Sequence, residues 1–347
     1  WEVLLTPLNR SAVAPLPSLL VSTAVGGCGV AAVLSPRGIA VRSDGIVLFT
    51  DAFCNRIMSL NLTDSGSVGG SASGINATRF AGNDSVIASS APNTGDGGPA
   101  LSAVLPFPTG IAVAPGTDDV YVTTRHAVRR IRAVDGVIVR VAGGDSPASS
   151  GDGGLAMSAQ LSSPLLLAVA PDGSVVVWQG GDGGRLRRID TSDPPLITLL
   201  ASALTAGGIG FVAGSTTMLA ATLASSHIVI VNTTSTSSIT PLFTPGALPS
   251  GFAGDGCTTP DGVPPLMWQP LGIAHHAARN AFIVAERGDG VSGRLRLAYV
   301  NSSGISVGGV VVDATSPAAI DGLNAARAPF ATSSTRFVVF GRLVGSL

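Results

Sequence analysis

Lysine is missing from this 347-residue chain: all 20 basic side chains are arginine, against 21 Asp and Glu, for a formal net charge of −1. So even a balance argues against a polyanionic partner, and the missing lysine reads as biased codon usage rather than function. Charged residues make up 12% of the chain and aromatics 5%, too few for the basic, aromatic-bearing face on which nucleic acid binds. No apolar run reaches the roughly 18 residues of a membrane span. The longest attempt, "SPLLLAVAPDGSVVVW" (163–178), is interrupted by Pro171, Asp172 and Gly173. No P-loop or HExxH pattern occurs. The chain opens at Trp1 without a basic segment followed by an apolar one, so a processed chain or a fragment of a longer surface or filament protein is expected.

What is present is glycine (45), proline (23) and apolar residues (45%, mean hydropathy +0.46), enough apolar material for a large core. These residues recur in order. Aligning Pro36, Pro108, Pro164, Pro270 and Pro329 gives a unit of about 45–70 residues, the scale of a propeller blade. Each unit opens with a short apolar run: "GIAVR" (38–42), "GIAVA" (110–114), "LLLAVA" (165–170), "GIGFVAG" (208–214) and "LGIAHH" (271–276). A second β-branched run follows across a Gly or Asp turn, as in "DGIVLFTDA" (44–52), "DDVYVTT" (118–124) and "DGSVVVWQG" (172–180). The third alternates Arg or polar residues with apolar ones: "NRIMSLNL" (55–62), "VRRIRAVD" (128–135), "GRLRRID" (184–190), "HIVIVNT" (227–233) and "GRLRLAYVN" (293–301). That alternation predicts one face packed and the other, carrying arginine, in water. The fourth reads "ATRFAGN" (77–83), "VIVRVAGG" (137–144), "LITLLAS" (196–202), "SITPLFTPG" (238–246) and "SVGGVVVDA" (306–314).

The order P-x-G-I-A-V, F-T-D-A, N-R-I, A-G, G-D-G-G-P-A-x-x-A-x-L-x-x-P resembles the NHL-repeat family of β-propellers across nearly the whole chain, with the units opening at 164 and 208 the most degenerate. The resemblance implies an all-β fold, a six-bladed propeller of four-stranded antiparallel blades. A composite blade closes it: 330–343 supplies two strands, and "EVLLTPL" (2–8) with "SLLVSTAVGG" (18–27) supplies the third and fourth. The blades are then 36–107, 108–163, 164–207, 208–269, 270–328, and 329–347 plus 1–35, in one domain spanning 1–347.

Between units lies a glycine-rich knot, "TGDGGPALSAVL" (94–105) and "SGDGGLAMSAQL" (150–161). Recurrence makes it architecture: the glycines allow positive φ, and the aspartates at Asp96, Asp152, Asp255 and Asp321 are expected to cap the short helical turn that follows. None shows the D-x-D-x-D spacing of a calcium loop. "GGDGGRLRR" (180–188) lacks GK[ST] and falls at a hairpin turn, which speaks against phosphate.

The resemblance also admits enzymes, since amidating lyases on this fold hold a metal with histidines around the central channel. Here His126 and His227 fall at second-to-third strand turns and His275 and His276 at the end of a first strand, on opposite faces, so no three-histidine site forms and no cofactor is expected.

Six of the ten asparagines head N-x-[ST] sequons: Asn9, Asn61, Asn76, Asn83, Asn232 and Asn301. Asn9, Asn61, Asn232 and Asn301 follow third strands, where two other units hold Asp135 and Asp190. Turn preference explains an amide there but not the hydroxyl two residues on, so glycosylation and the secretory pathway are expected. A Cys28–Cys54 disulfide is expected, with two buried free thiols as the alternative, while Cys257 is expected to be unpaired or joined outside the chain. The expectation is a non-catalytic extracellular or cell-surface module binding proteins or glycans through its variable loops (84–107, 145–163, 247–269), with no nucleic acid and no membrane span. A metal-dependent propeller lyase or hydrolase is the alternative, and an RNA-binding NHL domain a distant one.

Overall fold

The computed structural model describes residues 2–3, 19–20, 35–61, 77–83, 91–211, 217–222, 227–233, 239–241, 270–276, 281–286, 294–301 and 304–313. Short strands β1 (Glu2–Val3) and β2 (Leu19–Leu20) pair within the segments expected to close the ring. The first blade holds β3 (Pro36–Val41), β4 (Val47–Asp51), β5 (Arg56–Leu60) and β6 (Ala77–Ala81). The second holds β7 (Ile111–Val113), β8 (Val120–Thr123), β9 (Ala127–Ile131) and β10 (Ile138–Gly143). The third holds β11 (Pro164–Val169), β12 (Val175–Gln179), β13 (Arg185–Ile189) and β14 (Ile197–Ser202). The fourth comprises β15 (Ala206–Phe211), β16 (Thr217–Thr222), β17 (His227–Asn232) and β18 (Ile239–Pro241). The fifth comprises β19 (Pro270–His276), β20 (Ala281–Glu286), β21 (Arg294–Asn301) and β22 (Gly304–Asp313).

Every one of these sheets is an antiparallel meander in chain order, the all-β, blade-like architecture expected from the repeat. The described residues fall into two compact units, one holding β3–β14 and the other β15–β22.

Four first strands share an irregularity at their start, and it accommodates the opening proline where there is one. Register slips between Pro36 and Ile39, Pro164 and Leu166, Ala206 and Gly208, and Pro270 and Gly272. Proline has no N–H to donate, so a bulge at the strand start absorbs the missing rung. The bulge persists at Ala206, where the proline is gone.

Glycine after the proline answers to a different demand. A Cβ at Gly38 would lie 2.3 Å from the Thr109 carbonyl oxygen, and one at Gly110 would lie 2.8 Å from that of Leu165. First strands of successive blades therefore approach backbone to backbone, as the contacts of β3 with β7 and of β7 with β11 require. Second-strand threonines staple this inner layer. Gly38 N–H donates to Thr50 Oγ1, and that hydroxyl donates to Thr109 O, each at 2.8 Å. Gly110 N–H donates to Thr123 Oγ1 at 2.7 Å, and Thr109 Oγ1 donates to Pro164 O at 3.1 Å.

The apolar core lies in layers between blades. Leu48, Ile57 and Ala81 of the first blade meet Ile111, Val120, Val122 and Ile131 of the second, with Ala100, Ala103 and Leu105 of the knot filling the gap. The next layer repeats the arrangement with Ala156, Ala159 and Leu161. The alanines of the knot are thus small because they are wedged between two sheets.

Candidate functional site

Both described knots carry an aspartate that is expected to cap the short helical turn after it. In both, a 3-10 turn (Ala100–Ser102 and Ala156–Ser158) follows the glycines, but its N-cap residue is Pro99 or Leu155 and no side chain caps it. The capping role expected of Asp96 and Asp152 is therefore corrected. Asp96 Oδ1 accepts from Arg129 Nε at 2.9 Å, and Asp152 Oδ1 from Arg187 Nε at 2.7 Å. The remaining guanidinium nitrogens close the loop: Arg129 donates to Val104 O (2.7 Å) and Thr94 O (3.0 Å), and Arg187 to Gln160 O (2.8 Å) and Ser150 O (2.7 Å). Thr94 pairs with Val104 and Ser150 with Gln160, so each arginine clamps the base of its knot.

Both arginines have 0% exposure. The expectation that third-strand arginines face water is thus wrong at Arg129 and Arg187. It fails because each guanidinium exchanges its water for one carboxylate and two carbonyls, which fits its fixed fork of donors. Arg130 and Arg188, one residue on, are partly exposed and pair with Asp119 (3.8 Å) and Asp172 (3.0 Å). Burial pulls the Arg129 guanidinium below its ordinary value, and Asp96 opposes that pull. The knot also hydrogen-bonds the outer strand of the blade that follows it, through Gly97 N–H to Ile138 O (2.7 Å) and Ile138 N–H to Gly98 O (3.0 Å). It covers a strand edge that would otherwise be open to pairing.

Other polar side chains converge between the β8–β9 turn and the loops that flank the knots. A cavity of about 110 Å³ is lined by Ala91, Pro92, Asn93, Arg125, His126 and Asp145. Asp145 Oδ1 accepts from the N–H and the side-chain amide of Asn93 (3.1 and 3.2 Å), while Asn93 Oδ1 accepts from Thr124 Oγ1 at 2.7 Å. His126 Nδ1 lies 3.2 Å from Leu161 O; a carbonyl only accepts, so Nδ1 carries the proton and Nε2 is left as an acceptor. Burial holds this imidazole below its ordinary pKa, so the neutral form prevails. In the first blade Asn55 makes the corresponding tie, its Oδ1 accepting from Phe107 N–H at 2.8 Å. Near that tie the Arg37 guanidinium lies over the Phe107 ring, 5.7 Å from its centre, and Phe53 in the β4–β5 turn is 59% exposed. Asn93 and Asp145 were not singled out in the sequence, although "AGGD" (142–145) repeats "AGND" (81–84) and Ser149 stands before the second knot where Asn93 stands before the first.

The remaining predicted residues distribute as follows. His227 opens β17, and His275 and His276 close β19. Among the described residues no group of three His, Cys, Asp or Glu is arranged to hold a metal. Cys54 is fully buried and disulfide-bonded, while Cys28 and Cys257 lie outside the described residues. Asn61 follows β5, Asn232 ends β17, Asn301 ends β21 and Asn83 follows β6; Asn9, Asn76, Asp255 and Asp321 lie outside the described residues. No helix among the described residues is long and apolar enough to cross a membrane.

The chain matches no family model and no curated protein sequence. Among solved structures it is similar to virginiamycin B lyase from Staphylococcus aureus, at 16% identity over 82% of this chain and 71% of that one, with a TM-score of 0.45. A catalytically inactive form of that lyase with quinupristin gives 17% identity over the same shares and a TM-score of 0.44. A nidogen/laminin complex gives 13% identity over 85% of this chain and 88% of that chain, with a TM-score of 0.49. One is an enzyme and another a protein complex, and at these identities the likeness carries no function across.

Proposed function

We propose that the chain is an NHL-type propeller of six blades, closed by its two terminal segments, that works outside the cell as a non-catalytic module binding a protein or glycan ligand. The observation that carries this reading is the division of labour among polar side chains in the first unit. The arginines and aspartates that a catalytic reading would recruit, Arg129, Arg187, Asp96 and Asp152, are bound to one another and to the knots. Asn93, His126 and Asp145, held in place by their own hydrogen bonds, line a small open cavity with Arg125, and exposed Phe53 stands in the corresponding turn of the neighbouring blade. A polar cavity of this kind, lined by ordered side chains, suits the polar tip of a larger ligand held mainly by surrounding loops. A Cys28–Cys54 bridge belongs to the same reading, since oxidised cysteine persists in the secretory route.

The test has two arms. Purified full-length protein is applied to an array of glycans and of secreted protein domains, beside the Arg125→Ala/Asp145→Ala double variant, and its metal content is measured. The reading expects array signals that the double variant loses at unchanged melting temperature. One divalent metal per chain that disappears in His275→Ala/His276→Ala, or turnover of an amidated-peptide precursor or a lactone, contradicts it.

A further inference from the structure

We infer that Asn61, Asn232 and Asn301 are N-glycan acceptors, each set where a third strand leaves its sheet. The inference rests on the secretory part of the reading above and adds a covalent modification to it.

Register makes the first two sites equivalent. Val47 pairs with Leu60, and Met218 with Val231, so Asn61 and Asn232 each stand one residue past the matching apolar position. In the third blade Val175 pairs with Ile189, which puts Asp190 at that same place. Asn301 sits slightly further along a longer strand, at the hairpin where it pairs with Gly304. Asn232 is exposed and Asn61 partly so, at strand ends where a bulky substituent leaves the sheet undisturbed.

Asp190 shows what the position does when no sequon is present. Its Oδ1 accepts from Leu196 N–H at 2.8 Å, from Ser192 Oγ at 2.6 Å and from Ser192 N–H at 3.2 Å, organising the turn to the fourth strand. The Ser192 hydroxyl, two residues on, takes part in this turn, and Ser174 does the same for Asp172, so a hydroxyl at that spacing also serves an Asx turn. What sets Asn61, Asn232 and Asn301 apart from Asp190 is the asparagine itself, which together with Thr63, Thr234 and Ser303 completes the acceptor pattern. The donor is a lipid-diphosphate-linked oligosaccharide. The asparagine Nδ2 forms a bond to the anomeric carbon, the bond from that carbon to the phosphate oxygen breaks, the lipid diphosphate leaves, and the amide gives up one proton. The transfer acts on the chain as it emerges, so the folded blade has only to leave the sugar room.

The hydroxyl residues separate this inference from the turn-residue explanation. The full chain, preceded by a secretion signal, is expressed in a eukaryotic secretory host as wild type and as Thr63→Ala, Thr234→Ala and Ser303→Ala. These variants keep every asparagine. Medium and cell fractions are both treated with a peptide N-glycosidase, and mobility and site-resolved mass are read. The expected result is deglycosylation of the wild type with Asn→Asp conversion at all three sites, and loss of one glycan step in each variant. Wild-type protein carrying no glycan at these asparagines, whether in the medium or in the membrane fraction of the cells, overturns the inference. Unglycosylated protein folded in the medium does so while leaving the extracellular reading standing. Glycosylated protein retained in the cell has the opposite effect.

Discussion

The second and third blades are entered through knots at 94–105 and 150–161, whereas the fourth is entered directly: only residues 203–205 separate β14 from β15. The third strands differ to match. The residue paired with the centre of the second strand is Arg129 opposite Val122 and Arg187 opposite Val177, but Val229 opposite Ala220 in the fourth blade. In the first blade the same register position holds Met58, opposite Phe49. At this register position an arginine is buried where a described knot presents an aspartate and two carbonyls, and an apolar residue stands where no such knot is described; Arg56, buried two residues earlier in the first blade, is paired instead with Asp51 of the adjacent strand at 3.3 Å. The guanidinium is tolerated at zero exposure because the knot replaces its water. The fifth blade places Arg296 opposite Val284 in this register and is preceded by "AGDG" at 253–256, the pattern of the knotted kind.

The largest effect should come from separating a buried charge from its partner. Arg187→Ala removes the guanidinium from Asp152, Ser150 O and Gln160 O, leaving Asp152 only the more distant Arg185 at 3.6 Å and the two carbonyls only their mutual backbone bonds, and is expected to cost about 3 kcal/mol in denaturant unfolding of the whole chain. Val229→Ala in the unknotted blade removes only apolar contact and should cost distinctly less. Equal losses would break the distinction between the two kinds of blade. A smaller loss is expected from Gly110→Ala, whose added Cβ meets the Leu165 carbonyl at 2.8 Å. Overpacking of this sort costs about 1–3 kcal/mol, and no loss would mean that the first strands are not closely apposed. Next in size is Thr123→Val, which deletes the acceptor for Gly110 N–H at similar volume, with an expected loss of about 1 kcal/mol.

The smallest effect is a pH dependence confined to the second blade. Burial lowers the His126 pKa from 6.5, so the unfolded chain takes up this proton first as pH falls. Stability contributed by neutral His126 is full above 6.5 and declines as pH drops from there to the lower folded-state value. His126→Gln should flatten the stability profile in that window, and an unchanged slope would place the titration elsewhere.

The repeat was readable because each blade repeats the same demands. Proline opens a strand at a bulge, glycine lets first strands touch, and β-branched runs fill the second strand. The sequence also supported reading the knot as architecture, since Gly-Asp-Gly-Gly returns with its alanines in step. What it hid was the partner of the aspartate. Asp96 lies 33 residues from Arg129, and strand periodicity assigns that arginine to a solvent face because it cannot register a loop folding back over the sheet. The cavity was hidden for a related reason. Ser149 and Asp84 stand at the places that match Asn93 and Asp145, but strand periodicity says nothing of how these loops fold, and so does not bring them beside His126.

The claim that the knot aspartate exists to satisfy a buried arginine is tested most directly by a double-mutant cycle on Asp96 and Arg129, using Asp96→Ala, Arg129→Met and the pair, with unfolding free energy as the readout. Methionine is chosen because Met58 already occupies the matching register in the first blade. The account predicts that each single substitution destabilises, that the double variant loses less than their sum, and that the coupling is about 1–3 kcal/mol. Strict additivity, or a harmless Asp96→Ala, would contradict it.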